Sequence, residues 1–381
     1  MLVNNMRLTK IFLFIVICLL FIDSHLSHLR SYESRAKAAF LVDHATGQTL
    51  YGKNEDLRIY PASMSKLMTL YVLFETLDEG IISLDEKFIV SMNAYQREGS
   101  TIYAELSTMI SVENLIKGIV VSSGNDACVV VAEALAGSEE NFAMQMNLIA
   151  KDMGLLNTNF TNSTGLHNKN HFSSPRDLVQ LATRLLDDFP QFYKYFSETS
   201  FTWNNIIQYN RNNLLRMDLG VDGLKTGHTI QSGYGIIVSS KRDNGRIIAF
   251  VSGLDSNDER TSEILKLLNY SYRGFKSYQI LKKDQLIEKV KVWKGKKENV
   301  SLIVDEDINL LLDIPARRGI RLEYLYKEPI IAPINKGDKL GEVHIIYPNS
   351  ETIEVPLVAG EDVKKKNAFI NMIDAIRHFI L

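Results

Sequence analysis

The amino-acid sequence predicts an α+β fold, in which a helical cluster packs with an antiparallel sheet and a small all-β domain follows. Three observations support this prediction. The first 277 residues contain both dense apolar runs at helical spacing and β-branched runs with the pattern of a hairpin. From residue 280 the chain changes to short alternating runs separated by Gly, Asn and Pro. The final segment returns to apolar residues at helical spacing, and a length of 381 residues accommodates two domains.

Residues 1–24 have the pattern of an export signal. Two basic residues, Arg7 and Lys10, precede the apolar run 11–22. As a helix that run would be about 18 Å long, well short of the roughly 30 Å hydrocarbon core of a bilayer. The pattern predicts a signal peptide and therefore an exported protein, with an uncleaved membrane segment as the alternative.

The net charge and the cysteine content limit the partners and the disulfides that the protein can have. The net charge of −2 gives no argument for a nucleic-acid partner. The chain has two cysteines, Cys18 and Cys128, and removal of the signal would leave only the second. No internal disulfide is then available, so the exported protein has to be stabilised by its core.

Residues 30–277 are predicted to form the first domain, in which helical and strand patterns alternate. In chain order these are paired strands within 38–54, a buried helix from Pro61 to Leu77, two helices within 112–136 with a break at Ser122–Asn125, helices at 139–154 and 174–187, a hairpin at 233–254 that turns at Asn244-Gly245, and a helix at 259–275.

Residues 280–361 predict the all-β domain, and residues 364–381 predict an amphipathic helix behind a basic cluster. We interpret the helix as an anchor lying in the plane of a membrane, with the lysines near anionic head groups. The alternative is a helix packed on its own domain. The apolar face of the predicted helix is formed by Phe369, Met372, Ile373, Ile376, Phe379 and Ile380, and the basic cluster by Lys364, Lys365 and Lys366.

The stretch "YPASMSKLMTLY", residues 60–71, places Ser63 three residues before Lys66 at a predicted helix start. On a helix the two side chains lie one turn apart on the same face. The lysine amine could take the serine proton only when neutral, whereas an ordinary lysine titrates at about 10.4. Burial and a second nearby cation would lower its pKa, so the pair predicts another positive residue in the site.

Two other serines compete for the role of nucleophile. Ser34 and Lys37 repeat the spacing in "SRAK", but strand residues three apart face opposite sides of a sheet. Ser65 lies two positions after Ser63 and points about 200° away on a helix. Ser63 is therefore the predicted nucleophile.

Two further motifs follow in the chain, "SSGND" at 122–126 and "DGLKTGHT" at 222–229. Alone, the first is typical of a turn between helices, and the second of a strand that precedes a hairpin. Together with the Ser63 motif they resemble the penicillin-recognising serine enzymes, whose signature is Ser-x-x-Lys, Ser-x-Asn and Lys-Thr-Gly. Within that superfamily the sequence looks like the low-molecular-mass penicillin-binding proteins that are serine-type D-alanyl-D-alanine carboxypeptidases.

This resemblance covers nearly the whole chain. It includes "STGLHNKNHFSSPRDL" at 163–178, the all-β domain and the C-terminal amphipathic helix. It implies a β-lactamase/transpeptidase-like first domain. It also implies that Ser63 is the acylated nucleophile, that Lys66 is its base and that Ser123 relays the proton to the leaving amine.

The resemblance also implies a set of substrate-binding residues. Asn125 would hold the substrate amide, and Lys225 would supply the second cation that lowers the pKa of Lys66. Thr226 and its strand would bind the peptide and its terminal carboxylate, and the backbone N–H groups of Ser63 and His228 would form the oxyanion hole. The full implied set is Asn125, Lys225, Thr226, Gly227, His228 and Arg260.

The implied reaction is attack on the carbonyl between the two terminal D-alanines of a peptidoglycan stem peptide. D-Alanine leaves, water hydrolyses the acyl-enzyme, and β-lactams acylate the same serine. The resemblance implies neither metal nor cofactor. A zinc site at His167 and His171 is the alternative, but their loop contains Gly165 and offers no clear third ligand.

Other functions share these motifs. A β-lactamase usually carries Asp where Gly124 stands and uses a separate glutamate to activate the deacylating water, and no glutamate stands in an obvious equivalent of that loop after residue 150. A DD-endopeptidase usually lacks the second domain and the anchor. A catalytically silent penicillin-binding scaffold would not need the intact motifs. We expect the protein at the periplasmic face of the cytoplasmic membrane, peripherally anchored.

Overall fold

The computed structural model describes residues 32–242, 245–347 and 352–366, and within them it has the predicted α+β architecture. The predicted signal 1–24, Asn244 of the predicted turn and residues 367–381 of the predicted anchor lie outside the described residues. Across the described ranges, no helix combines the length and the apolar character needed to cross a bilayer.

The first domain contains a cluster of helices and an antiparallel sheet. The helices are α1 (Lys66–Asp78), α2 (Met92–Tyr95), α3 (Val112–Lys117), α4 (Asn125–Ala136), α5 (Glu139–Asp152), α6 (Pro175–Asp188) and α7 (Asn257–Gly274). Tighter 3₁₀ segments lie at Ala62–Ser65, Tyr193–Ser197 and Asn213–Arg216, and a π-helical segment spans Gly118–Ser122.

Nine strands lie within the described residues of this domain, and five of them form its main sheet. The strands are β1 (Ala38–Asp43), β2 (Thr49–Lys53), β3 (Lys87–Ile89), β4 (Met109–Ser111), β5 (Ser200–Trp203), β6 (Ile206–Tyr209), β7 (Val221–Thr229), β8 (Gly233–Arg242) and β9 (Gly245–Leu254). The main sheet has the order β2-β1-β9-β8-β7, with antiparallel neighbours throughout, so β7 is an edge strand.

The main sheet is buried on both faces. In β1, Phe40 and Val42 pack into the core shared with α1 and the helical cluster, whereas Ala39 and Leu41 pack into a second core with α7. Because successive strand residues point to opposite faces, this alternation places the sheet between two helical layers. The continuous apolar character of "AAFLV" follows from burial on both sides.

The second domain is built mainly from strands, as predicted. They are β10 (Lys276–Leu281), β11 (Leu286–Trp293), β12 (Asn299–Ile303), β13 (Ile308–Leu312), β14 (Arg321–Tyr326), β15 (Ile330–Ile331), β16 (Lys339–Ile346) and β17 (Thr352–Ala359). Six of them form a sheet of order β14-β16-β17-β12-β11-β15, and β10 pairs with β13.

One short helix, α8 (Ile314–Gly319), interrupts the predicted all-β domain. Its first turn is capped by Asp313, whose carboxylate accepts a hydrogen bond from the backbone N–H of Ala316 at 2.7 Å. An Asp cap followed by Pro near the helix start is a helix signal that the β-rich surroundings concealed.

The edge strand β7 passes close to the 3₁₀ segment that carries Ser63. A Cβ atom at Gly227 would lie 2.9 Å from the carbonyl oxygen of Pro61 and 3.2 Å from Cβ of Ala62. Glycine therefore allows the close approach of strand and segment, which places the "KTG" motif beside the serine motif.

Candidate active site

The serine motif lies at the junction between the 3₁₀ segment Ala62–Ser65 and α1. Ala62, directly before Ser63, has a φ of 49°, in the left-handed region that a residue with a Cβ rarely adopts. Strained backbone of this kind clusters at functional sites, where the surrounding packing holds it in place. Here the strain lies next to the predicted nucleophile.

Lys66 is fully buried at the start of α1, with 0% of its surface exposed. Its Nζ donates hydrogen bonds to Ser63 Oγ at 2.9 Å, to Asn125 Oδ1 at 2.8 Å and to the carbonyl oxygen of Thr164 at 2.6 Å. An ammonium has three N–H donors, so these partners use all of them. The predicted base is thus held within hydrogen-bond distance of the predicted nucleophile.

Burial lowers the pKa of Lys66 from 10.5 to about 8, and the positive charge of Arg211 adds to this effect. The sequence predicted that Lys225 would be the cation acting on Lys66. Burial lowers the pKa of Lys225 well below its ordinary value, and repulsion between the Lys66 and Lys225 ammonium groups adds to this effect, so each lysine disfavours the charge of the other. Arg211 is a further cation that disfavours a charged Lys66.

The "SSGND" motif forms the predicted break between α3 and α4. Ser123 has a φ of 61° in the left-handed region, directly after the π-helical segment. This turn brings its side chain to Lys225, whose Nζ donates to Ser123 Oγ at 3.0 Å. Lys225 is only 2% exposed, and its Nζ also donates to the carbonyl oxygen of Thr226 at 3.3 Å.

Asn125 begins α4 and is held by both ends of its amide. Its Oδ1 accepts from Lys66 at 2.8 Å, and its Nδ2 donates to the carbonyl oxygen of Glu98 at 2.7 Å. A carbonyl oxygen accepts and never donates, so the Glu98 contact fixes the orientation of the amide. Asn125 therefore presents an acceptor to Lys66.

The loop between residues 161 and 171 completes the surroundings of Lys66. Asn162 Oδ1 accepts from the N–H groups of Thr164 at 3.1 Å and Gly165 at 2.8 Å, which shapes the turn. Gly165 has a φ of +80°, and a Cβ there would lie 1.9 Å from the carbonyl oxygen of Ala62. Only glycine allows this contact, and the contact sets where the Thr164 carbonyl points.

Both ring nitrogens of His171 form hydrogen bonds within the protein. Nδ1 accepts from the N–H of Thr161 at 3.1 Å, so Nε2 carries the proton of the neutral ring and donates to Ser65 Oγ at 2.8 Å. Burial lowers the pKa of His171 to about 4. The His167 ring packs against Tyr60 at 4.6 Å. His171 thus positions the loop, and Ser65 faces it rather than the cleft.

Among the described residues, one group has a metal-like donor set, Glu342, His344 and Glu354 of β16 and β17. It belongs to the second domain, and Lys339 Nζ already donates to a Glu342 oxygen at 2.6 Å. It contributes nothing to the Ser63 site.

A cleft of about 560 Å³ opens beside Ser63. The His228 ring stacks on Tyr234 with centroids 3.9 Å apart at this cleft. The predicted residues that line it are Ser63, Ser123, Thr226, Gly227, His228 and Arg260. The lining residues that the sequence analysis did not single out are Gly99, Ser100, Arg211, Asn213, Tyr234 and Asn257.

Arg260 projects from α7, lines the cleft and is 5% exposed. Its guanidinium donates to the carbonyl oxygen of Arg211 at 3.2 Å and to the side-chain oxygen of Asn257. Burial lowers the pKa of Arg260 to about 10, and its Nε is buried without a hydrogen-bond partner. An unused cationic donor at this place suits an anionic group.

Sequence reasoning missed two residues that shape the site. Arg211 lies in a polar stretch between strands with no motif of its own. Asp126 accepts from the N–H groups of Ile102 and Ala104, each at 3.0 Å, and so holds the loop that contacts Asn125. Asp126 could have been found, because it directly follows Asn125 in the second motif.

Ser34 is buried beside α7, outside the cleft. It is 2% exposed and its Oγ donates to Glu263 Oε2 of α7 at 3.1 Å. The "SRAK" copy is therefore part of the packing between β1 and α7 and does not line the cleft.

Comparison with known proteins identifies relatives along both domains. Residues 26–256 match the family model described as D-alanyl-D-alanine carboxypeptidase, and residues 275–365 match that of the penicillin-binding protein 5 C-terminal domain. The D-alanyl-D-alanine carboxypeptidase DacF of Bacillus subtilis is 37% identical over 346 residues, which cover 87% of this chain and 86% of that protein.

Two solved structures resemble this one closely. Penicillin-binding protein 5 from Haemophilus influenzae has a TM-score of 0.80 and 33% identity, covering 88% of this chain and 100% of its own. Penicillin-binding protein D2 from Listeria monocytogenes, solved with ampicillin bound, has a TM-score of 0.58 and 30% identity, covering 63% and 98% respectively.

The fold and these matches define a serine-type hydrolase of the penicillin-binding class. The chain belongs to the D-alanyl-D-alanine carboxypeptidase family, peptidase S11, and carries the C-terminal domain found in penicillin-binding protein 5. The family predicted from the three sequence motifs is thereby confirmed.

Proposed function

We propose that this protein removes the terminal D-alanine from peptidoglycan stem pentapeptides through an acyl-enzyme on Ser63. The observation that supports this most directly is the environment of Lys66. Two of its three partners, Thr164 O and Asn125 Oδ1, only accept hydrogen bonds. When Lys66 is neutral, its two N–H groups stay on these acceptors and its lone pair faces the Ser63 hydroxyl.

Acylation then follows from this arrangement. Ser63 Oγ attacks the carbonyl carbon of the penultimate D-alanine and gives its proton to Lys66. The tetrahedral intermediate collapses with cleavage of the C–N bond; the leaving amine takes the hydroxyl proton of Ser123, and Ser123 regains a proton from protonated Lys66. Water then gives a proton to neutral Lys66 as it attacks the Ser63 ester, and Ser63 Oγ takes that proton back as the shortened peptide leaves. The backbone N–H groups of Ser63 and His228 would stabilise the oxyanion.

Substrate binding is supported by the lining of the cleft. The peptide would lie along the edge of β7 as an added strand, and the second N–H of Asn125 Nδ2, beside the one that donates to Glu98, would hold its amide. Its terminal carboxylate would meet Thr226, His228 and the unused Nε of Arg260. Lys225 would act through Ser123, to which it donates at 3.0 Å.

β-Lactams would acylate the same serine. The relative from Listeria monocytogenes was solved with ampicillin bound, and its likeness to this chain supports a β-lactam site here. Slow hydrolysis of the acyl-enzyme would make the protein a β-lactam target rather than a β-lactamase.

The test is release of D-alanine from a pentapeptide that ends in D-Ala-D-Ala. We expect release by the wild type and a loss of at least ~10³-fold in Ser63→Ala. Ser65→Ala is the matched control, because Ser65 faces His171, and it should still label with a fluorescent penicillin. Absence of D-alanine release from the wild type would reject the carboxypeptidase. Preferential cleavage of crosslinked dimers would favour the DD-endopeptidase, and rapid penicillin turnover the β-lactamase.

We also propose that the protein is exported by residues 1–24 and held at the periplasmic face of the cytoplasmic membrane by residues 364–381. The amphipathic pattern and the lysines of that segment support this. Lys365 also forms a strand bridge with Gly295, so a truncation after Lys366 keeps the described domain intact. We expect the truncated protein in the soluble fraction; retention on membranes would instead implicate an uncleaved N-terminus.

A further inference from the structure

We propose that the second domain itself touches an anionic lipid surface, through a patch formed by Trp293, Lys294, Ile331 and Lys364–Lys366. This inference rests on the proposed membrane attachment and adds a second contact to it. We call these residues the basal patch.

Two large exposed side chains form the apolar part of the basal patch. Trp293 is 54% exposed and Ile331 is 59% exposed. They are partners in the parallel pairing of β11 and β15, where Val292 pairs with Ile330. Val292 and Ile330 pack on the small core beneath, so Trp293 and Ile331 face outward side by side.

The described chain ends beside this pair. The N–H of Lys366 donates to the carbonyl oxygen of Lys294 at 2.8 Å, and the N–H of Lys296 donates to that of Lys364 at 2.7 Å. Residues 367–381, the proposed anchor, therefore begin one residue from a backbone hydrogen bond to the neighbour of Trp293. An anchor lying in the membrane surface would bring the basal patch to the head groups.

The charge around the basal patch suits an anionic surface. Residues 294–298 and 361–366 together hold six lysines and three acidic residues, a net charge of +3 in a chain whose net charge is −2. Lys294 Nζ lies 4.2 Å from the centre of the Trp293 ring. Tryptophan and lysine side by side are typical of the interface between water and lipid, where the ring sits at the head groups and the ammonium meets phosphate.

Contact of the basal patch with lipid would restrict how the protein moves relative to the membrane. With both the anchor and the basal patch on the lipid, the second domain would be held at two points and could not swing about one of them. The first domain would then be held at a defined height above the membrane.

The chain has two tryptophans, Trp203 and Trp293, which makes the contact directly measurable. The variant Trp203→Phe leaves Trp293 as the single reporter, and penicillin labelling verifies that its first domain is folded. The protein would be prepared without residues 1–24 and mixed with phosphatidylcholine–phosphatidylglycerol vesicles, with and without brominated acyl chains. We expect co-sedimentation, a blue shift of Trp293 emission and at least twofold quenching by the brominated lipid.

The outcomes separate the two proposals. Co-sedimentation without quenching overturns the basal patch but leaves the anchor intact, whereas no sedimentation overturns both. A blue shift that appears without vesicles and grows with protein concentration overturns the lipid contact in favour of a second copy.

A second variant adds an independent measurement. Trp293→Ser with Ile331→Ser should lower vesicle affinity at least tenfold while penicillin labelling is unchanged. The matched control is Leu325→Ser, at a side chain that is 48% exposed on β14, and it should leave the affinity unchanged. Equal affinity of the double variant and the wild type would overturn the proposal.

Discussion

Lys66 Nζ and the carbonyl oxygen of Thr164 lie 2.6 Å apart, and both are buried away from water. A backbone carbonyl cannot turn away or change its protonation state, so it is a fixed acceptor for one N–H of the lysine. Because this carbonyl and Asn125 hold the two N–H groups of the neutral amine, its lone pair is left facing the Ser63 hydroxyl.

Replacement of Lys66 by arginine should abolish acylation. A guanidinium keeps its charge at every accessible pH and cannot take the proton of Ser63. We expect the second-order rate of labelling by a fluorescent penicillin to fall by at least ~10³-fold, with no recovery at high pH. Lys151→Arg, on the exposed end of α5, is the control for the substitution type. Recovery of Lys66→Arg above pH 9 would contradict the role of Lys66 as base.

The acylation rate should follow the titration of Lys66. The base is active when neutral, and its pKa is lowered to about 8. Below that value the neutral fraction falls about tenfold per pH unit, so the rate should rise between pH 6 and 8 and level off above it. Stopped-flow acylation across pH 6–10 measures this profile. A rate that is flat from pH 6 to 8 would rule out this titration.

The positive charge of Arg211 should contribute to the pH midpoint of the acylation rate. Its positive charge disfavours a charged Lys66, so Arg211→Gln should raise the pKa of Lys66 and move the midpoint to higher pH. The rate at pH 7 should fall while the rate at pH 9.5 changes less. Arg211→Lys keeps the charge and is the matched control for the midpoint. An unchanged midpoint in Arg211→Gln would contradict the contribution of Arg211 to the lowered pKa of Lys66.

Gly165→Ala should destabilise the protein and slow acylation together. The new Cβ would meet the Ala62 carbonyl oxygen at 1.9 Å in a backbone with φ of +80°. We expect a loss of ~2–4 kcal/mol in the free energy of unfolding. Gly154→Ala separates the two causes, because its φ is +74° but nothing lies within 4 Å of the added Cβ. It should cost about 1 kcal/mol and leave acylation unchanged.

His171 should make the stability depend on pH below neutrality. Its pKa is about 4 in the folded protein against an ordinary value of 6.5, so between these values the unfolded chain binds more protons. Stability therefore falls as the pH drops from 6.5 to 4, by ~3 kcal/mol from this residue. His171→Gln removes the titration, and urea unfolding at pH 7 and pH 4.5 should show a smaller difference than the wild type. An equal difference in both proteins would assign the pH dependence to other groups.

The sequence predicted most of the fold because the local patterns agree with the packing. The dense apolar run of α1 reflects the burial of every residue from Lys66 to Phe74, and the Ser-Gly-Asn break is the left-handed turn at Ser123. The short helix α8 was missed because six residues give too few turns for a periodic pattern. Its capping residue, Asp313, is present in the sequence, but strand patterns on both sides favoured the interpretation of the segment as a strand.

The side chains of the candidate site that belong to sequence motifs could be predicted, whereas the backbone groups of the site could not. Ser63, Lys66, Ser123 and Lys225 were found from their motifs. The Thr164 carbonyl was not, because any residue offers a carbonyl and only the fold selects this one. Arg211 was missed for a related reason, since its contact with the site is long-range and has no fixed spacing from the other motifs.

The position of β7 at the end of its sheet has a consequence for the solubility of the protein. An open strand edge can pair with the edge of another copy, and most proteins cover or disrupt such edges to avoid aggregation. Here the proposed substrate needs that edge, so the protein has to keep it accessible beside Ser63. Ligand-free protein near its melting temperature is therefore the form most prone to self-association, and occupation of the cleft by a β-lactam should delay heat-induced light scattering.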